Sequence, residues 1–417
     1  MAILSLLPIL LTLVGTYFLI KLRSLFLFHP LRLFRLSRDI AFQRKSRNAL
    51  LLALAGTLGV GNMVGIAYGI SVGGAGCVFW TLVSSVFAAV IKYAESSLAS
   101  YYGHRGMTEV ILRTFRRTGF FFSRVYAALC VALSLTMGSA LQVKSAVFTL
   151  SSADKRSLVA ILFFLLLSFV IVGGAKKIVR ATSFIIPFST IIYISLCLAV
   201  IFSGFSSLGT VFRAIITDAF NFKSAASGIG VFFASRAVKQ GYLGGLLSNE
   251  AGAGTSAMAQ SLADAPPGKV GLLGVVEVFF DTALLCSLTG VAILASGAPL
   301  SGSGINILLS SFSTVLGTVT APVLLFLIFA FAFSTVICWY YYGSECVGLL
   351  FNNRGRGAYT VMFFLSSSLG IFISESRLIS VSNYMLFLMT VITVFVLIKN
   401  SERIYVLSES ILKNSDI

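Results

Sequence analysis

The chain has 417 residues, 57% of them hydrophobic and only 11% charged, with a mean hydropathy of +0.97. A soluble domain of this length needs far more polar surface, so the composition selects a membrane protein. The formal charge of +17 gives no case for a nucleic-acid partner, because the basic residues cluster in short segments between apolar runs.

Continuous apolar runs, rather than alternating ones, predict spanning helices, which satisfy their own backbone groups in lipid. Eleven spans are expected, near 3–20, 48–70, 78–100, 121–148, 157–174, 182–204, 224–243, 268–296, 320–347, 357–374 and 378–398. No basic residue precedes the first, and no small-residue cleavage site precedes Lys21, so it reads as a retained helix and not a signal peptide. Segment 23–47 carries Phe26, Phe28, Leu33, Phe34 and Leu36 among its arginines, the composition of a helix lying on the inner membrane surface. Twenty-four of the 31 basic residues then fall in segments on one side. That asymmetry predicts an N-terminus outside and a C-terminal tail, 399–417, in the cytoplasm.

Two apolar segments are interrupted by glycine and polar residues. The first is Ala55-Gly-Thr-Leu-Gly-Val-Gly-Asn-Met-Val-Gly65. The second runs from Gly228 and Gly230 through Gly241, Gly244 and Gly245 to Ser248-Asn249-Glu250-Ala251-Gly252-Ala253-Gly254. With the first span set aside, they open two groups of five, 48–205 and 206–398, which enter the membrane from opposite sides. The predicted architecture is therefore all-α and polytopic: helix 1–22, then a 5+5 inverted repeat whose first helix is broken in each half. Broken helices at matching places of inverted halves point to a transporter's binding site. A break at mid-membrane frees N–H and C=O groups that a bound ion or zwitterion can satisfy. The same glycines also fit small-residue packing faces, as in Gly61-x-x-x-Gly65.

These residues carry a family resemblance. Ala55–Ala67, Gly73-Gly-Ala-Gly-Cys-Val-Phe-Trp80, Lys92-Tyr-Ala-Glu95, Gly173-Gly-Ala-Lys-Lys-Ile-Val-Arg180, Leu246-Leu-Ser-Asn-Glu-Ala-Gly252, Phe280-Asp-Thr282 and Phe333–Gly343 resemble, in order, the signature of the alanine/glycine:cation symporter family. The resemblance implies a leucine-transporter-type fold, uptake of small neutral amino acids driven by Na+ or H+, and a place in the inner membrane of a prokaryote. It implies that the first break holds the substrate carboxylate through Gly56, Gly59 and Gly61, with Thr57 and Asn62 as side-chain donors. It further implies that Gln142 faces the site, that Trp339 walls it and limits side-chain size, and that a cation sits on Ser334, Thr335 and the carbonyls of Gly56 and Val60. Oxygen-only ligation suits a hard cation. Ser248, Asn249 and Glu250 are expected to shape the second break, Glu250 through backbone hydrogen bonds.

Lys144 departs from the family, which usually has a neutral polar residue there. Either it tunes a cation site, shifting coupling toward protons or making transport partly ion-independent, or its stem runs to the outer interface. Lys92 and Glu95, spaced i, i+3, are expected to pair. Asp281, on one face with Glu277, is the deeper carboxylate, and a partner, a proton or an ion could neutralise it. Glu345 is expected at the interface. The six cysteines stand singly, and both histidines, His29 and His104, lie in basic segments, which leaves no metal or catalytic centre and no resident cofactor. An enzyme is therefore disfavoured, no obligate protein partner is evident, and a channel or receptor on a transporter fold remains the rival.

Overall fold

The computed structural model describes residues 2–103, 105–115, 117–150, 156–221 and 235–413. Every regular element among them is a helix, as continuous apolar sequence in lipid requires. Helix α1, Ala2–Lys21, is followed by the amphipathic α2, Pro30–Phe42. Leu31, Phe34 and Phe42 lie exposed on α2, a surface that a bilayer interface would cover. The first interrupted segment divides into α3, Arg44–Thr57, and α4, Gly61–Gly73, which meet at 54°. Residues 44–47, read as part of the surface segment, thus belong to the broken helix.

Next come α5 (Gly76–Tyr102), α6 (Met107–Thr114), α7 (Gly119–Leu135) and α8 (Gln142–Leu150), the last two joined by a wide π-helical turn at Thr136–Leu141. Helices α9 (Arg156–Val172), α10 (Gly174–Ser203) and the amphipathic α11 (Leu208–Ala219) complete the first half of the chain. Asp218 at the end of α11 accepts from the Gly76 amide at 2.7 Å, and the Trp80 indole donates to the Ala219 carbonyl at 2.9 Å, fastening α11 to the start of α5.

The span expected at 224–243 falls partly outside the described residues, as do Gly228 and Gly230. Its described part, α12 (Arg236–Asn249), runs past the expected end. Gly241 and Gly245 lie inside this unbroken helix, Gly241 against Cys77 and Trp80 and Gly245 against Ser84. At those two positions the packing reading of the glycines holds. The chain leaves helical geometry only at Glu250, where Glu250, Gly252 and Gly254 all take positive φ.

The remaining helices are the single turn α13 (Ala257–Gln260), α14 (Pro267–Val278), α15 (Ser287–Ala295), α16 (Gly304–Leu316), α17 (Thr320–Leu350), α18 (Arg356–Gly370), α19 (Glu375–Lys399) and α20 (Ser401–Lys413). A π-helical stretch, Phe279–Cys286, joins α14 to α15. Among the described residues six helical stretches are each long and apolar enough to span a bilayer, and the bent α3–α4 pair makes a seventh. Helices α6, α11, α16 and α20 were not anticipated as separate elements. Of the four π-helical turns among the described residues, that at 61–65 follows the first break, that at 136–141 leads to Gln142 beside Gly59, and that at 279–286 carries Asp281, which bonds Asn62.

Candidate functional site

The first break begins where α3 runs out. Leu58 N–H still bonds the Leu54 carbonyl at 2.7 Å, but Gly59 N–H folds back to Thr57 at 2.8 Å and also reaches Asn62 Oδ1 at 3.3 Å. The Thr335 hydroxyl donates to the freed Leu58 carbonyl at 3.3 Å and to Phe331 of its own helix at 2.9 Å. Gly59 makes this approach possible. A β-carbon there would lie 3.3 Å from Thr335 Oγ1 and 3.4 Å from the Gln142 amide. A narrow crevice reaches Leu58, Gly59 and Asn62 between Met63, Tyr193, Leu285 and Phe331.

Around this point polar atoms are buried without a hydrogen-bond partner: Thr57 Oγ1, Gln142 Oε1, Trp339 Nε1 and Tyr342 OH. They are neighbours through the backbone that carries them. Tyr342 stands 3.2 Å from where a β-carbon on Gly56 would lie, Trp339 packs on Tyr342 with ring centroids 5.6 Å apart, and Gly138, one turn before Gln142, is pressed against Trp339. Each unpartnered buried group costs about 1–3 kcal/mol, and native interiors hold few of them unless a ligand or water completes them. Four of them gather at this one helical break.

Asn62 is engaged within the protein itself. Its Oδ1 takes the Gly59 amide, while its Nδ2 donates to the Asp281 carboxylate and, at 3.2 Å, to the Asp281 carbonyl. Asp281, in the π-helical stretch, also accepts from Ser248 on both oxygens at 3.1 Å and from Thr282 at 2.8 Å. Asn249 donates to Thr282 at 3.0 Å and accepts from the Ala251 amide at 3.0 Å. One carboxylate thus joins both breaks.

The second break holds a further polar cluster. Glu250 accepts from the Thr255 hydroxyl at 2.6 Å, so it closes the 250–255 loop through a side chain and not through the backbone bonds expected of it. Lys92 pairs with Glu277 at 3.1 Å and donates to Ser256 at 2.6 Å. Glu277 also accepts from Gln260, whose carbonyl oxygen takes the Ser96 hydroxyl. The expected Lys92–Glu95 pair is not formed: the helix spacing is right, but Glu277 offers Lys92 a cross-helix partner in the fully buried core. At the end of this region Asp264 binds Lys45 of α3 at 2.7 Å, and that ammonium holds the exposed Asp264 carboxyl below its ordinary value.

The other expected site residues distribute as follows. Gly56 packs on Cys338 and Tyr342, one turn away from Thr335. The Val60 carbonyl accepts from Met63 at 3.3 Å and Val64 at 2.9 Å, starting the next helix, so the carbonyl facing Thr335 is Leu58 rather than Gly56 or Val60. Ser334 donates to Phe331 at 2.9 Å, a bond within its own helix. Gly61 has open space above its Cα. Lys144 turns away from Gln142 and donates to the carbonyls of Ile371 (3.3 Å) and Ile373 at the end of α18. Glu345, as expected, is part-exposed and pairs with Arg356 at 3.1 Å. Leu58 and Tyr342 were missed. Tyr342 was findable, since it lies seven residues beyond Thr335 and so on the same helix face.

The family model described as the sodium:alanine symporter family matches residues 1–411. The chain belongs to that family. Its relatives include the sodium/alanine symporter AgcS of Methanococcus maripaludis, 29% identical over 76% of this chain and 73% of that protein. The putative sodium/proton-dependent alanine carrier YrbD of Bacillus subtilis is 31% identical over 75% of this chain and 68% of its own length. A probable sodium/glutamine symporter, GlnT of the same species, is 29% identical over 83% and 75%. The family is one of membrane transport proteins and not of enzymes. The shared class is amino-acid symport coupled to a cation.

Proposed function

We propose that the chain is a secondary transporter that imports a small neutral amino acid, with alanine and glycine foremost, together with Na+. Transport runs by alternating access in the inner membrane of a prokaryote, with the N-terminus outside and the C-terminus in the cytoplasm. The observation that carries this reading is the set of four unpartnered buried polar atoms around the bend at 58–60. An α-carboxylate completes amides and hydroxyls at such a break, and freed carbonyls complete an ammonium or a cation. Trp339, fully buried and pressed against Gly138, leaves little room beside them, which favours the smallest side chains. Thr335 with the Leu58 carbonyl is the favoured cation position near the substrate. The two breaks head the 5+5 inverted repeat in this reading, and the halves rock about them. Coupling requires that ion and solute favour the same state of the carrier.

The test is uptake and counterflow of labelled alanine in proteoliposomes, with Na+ or choline outside. Thr335→Ala is expected to lose the Na+ stimulation and Trp339→Ala to admit valine. A protein that shows no accelerated exchange when preloaded with cold alanine or glycine is not this carrier, and one that passes solute without saturation is a channel.

A further inference from the structure

Far from both breaks, a groove of about 510 Å³ opens where the ends of α5 and α19 meet the start of α20. Tyr101 walls it on α5, Lys399 on α19, and Arg403, Val406 and Leu407 on α20. Asn400 fixes its shape. The Asn400 side-chain carbonyl takes the Tyr102 hydroxyl at 3.0 Å, and its amino group donates to Thr114 of α6 and to the Val396 carbonyl, both at 2.9 Å. Four helix ends are thereby held around one opening.

Two cations reach this groove without a counter-charge. Lys399 and Arg403 are exposed, and neither forms an ion pair among the described residues. Glu402, the carboxylate of the groove, is taken by Lys21 at 2.6 Å. The Arg403 guanidinium lies 4.8 Å from the Tyr101 ring and 5.4 Å from the Tyr102 ring, and it donates to the Tyr102 hydroxyl. Such stacking holds a guanidinium in place while most of its N–H groups point onward. The Lys399 ammonium lies 4.9 Å from the Phe115 ring. Helices α5 and α19 are both long and apolar enough to span a bilayer, and both end here, so the groove sits at the depth of the headgroups. One turn before Lys399, toward the hydrocarbon, Phe395 is exposed and stacks on Phe115 with centroids 5.6 Å apart, and Ile398 is exposed beside it.

We propose that this groove binds an anionic phospholipid, its phosphate between Lys399 and Arg403 and its acyl chains along Phe395 and Ile398. A basic pocket between helix ends at headgroup depth suits an anionic lipid, and the apolar surface that continues from it suits a chain-bearing phosphate over a soluble one. The inference stands on the groove and its charge and does not need the transport reading. It gives the lipid a structural effect. Helix α20 leans on the start of α14, where the Leu407 carbonyl lies against Gly268, so a headgroup in the groove braces the helix that follows the second break.

The test is native mass spectrometry of the full-length protein, stripped of lipid in detergent and titrated with phosphatidylglycerol or phosphatidylcholine of the same acyl chains. One phosphatidylglycerol is expected to bind ahead of any phosphatidylcholine. Each cation facing an anionic headgroup is worth about fivefold in binding. Lys399→Gln with Arg403→Gln should therefore weaken phosphatidylglycerol binding by about twentyfold and leave phosphatidylcholine unchanged. Lys399 makes no side-chain hydrogen bond among the described residues, so Lys399→Gln alone, with an expected loss of about fivefold, decides the matter should the double variant fold poorly. The proposal is overturned if both lipids bind the wild type alike. It is also overturned if Arg35→Gln with Arg38→Gln, an equal loss of charge on α2, weakens phosphatidylglycerol as much, which would make retention a matter of net charge. Displacement of the lipid by an equal concentration of inorganic phosphate would overturn it as well, by making the occupant a soluble anion.

Discussion

Gly59 is the residue on which the geometry of the break turns. Its missing side chain lets the Thr335 hydroxyl and the Gln142 amide approach the backbone, and its φ is not in the left-handed region, so alanine fits the backbone there. Gly59→Ala is therefore expected to fold and to be inserted normally, yet to crowd the solute. Alanine should lose apparent affinity by about tenfold more than glycine, since one methyl of misfit in a pocket is worth about 1–3 kcal/mol. Competition between the two for labelled glycine uptake measures this, and equal losses would show that the methyl does not face the solute. At this scale the sequence was partly legible. Gly59, Gln142 and Thr335 were expected at the site and are brought together. The role of Asn62 was not legible, because its partner, Asp281, is 219 residues away and no local pattern joins them. Lys144 stayed open between two readings for a related reason: spacing along α8 says that it turns away from Gln142, but only the end of α18 says what it meets.

At the scale of elements, the Lys92–Glu277 pair ties α5 to α14 beside the second break. Removing one member of a buried ion pair leaves an uncompensated charge, at a cost of about 3–5 kcal/mol. Glu277→Gln is thus expected to lower the melting temperature in detergent sharply and to reduce the amount in the membrane. Lys92→Met with Glu277→Leu should recover much of both, since an apolar pair of similar volume needs no partner. If the double variant melts no higher than the single one, the cluster's other hydrogen bonds, from Ser256 and Gln260, carry the stability instead. Helix existence was well read from apolar runs, and helix ends less well, as the early start of α10 and the late end of α12 show. The π-helical turns could not have been found. A locally wider turn leaves no mark on a continuous apolar sequence.

For the whole molecule, the positive-inside pattern sets an orientation that the fold itself does not. Because all six cysteines are buried, single exposed cysteines can report sidedness in intact cells. Thr318→Cys, at the exposed approach to α17, should react with a membrane-impermeant maleimide from outside. Lys413→Cys, at the exposed end of α20, should react only after permeabilisation. The reverse order would invert the topology. Architecture was legible at this scale because lipid permits so few backbone solutions. The short helices α6, α11, α16 and α20 were not, since a span's hydropathy is their only announcement and they lack its length.

The buried ion pair also bears on how the chain is made. Lys92 and Glu277 are separated by 185 residues, so the ribosome delivers the ammonium to the bilayer long before its final partner exists, with only Glu95 of the same helix at hand. Until α14 arrives, the α5 hairpin must keep that lysine near the headgroups or in the insertion machinery, as no lone charge rests comfortably in hydrocarbon. The first half of the chain is therefore an unfinished intermediate by construction. Its helices settle to their final depth only when the second half comes to meet them.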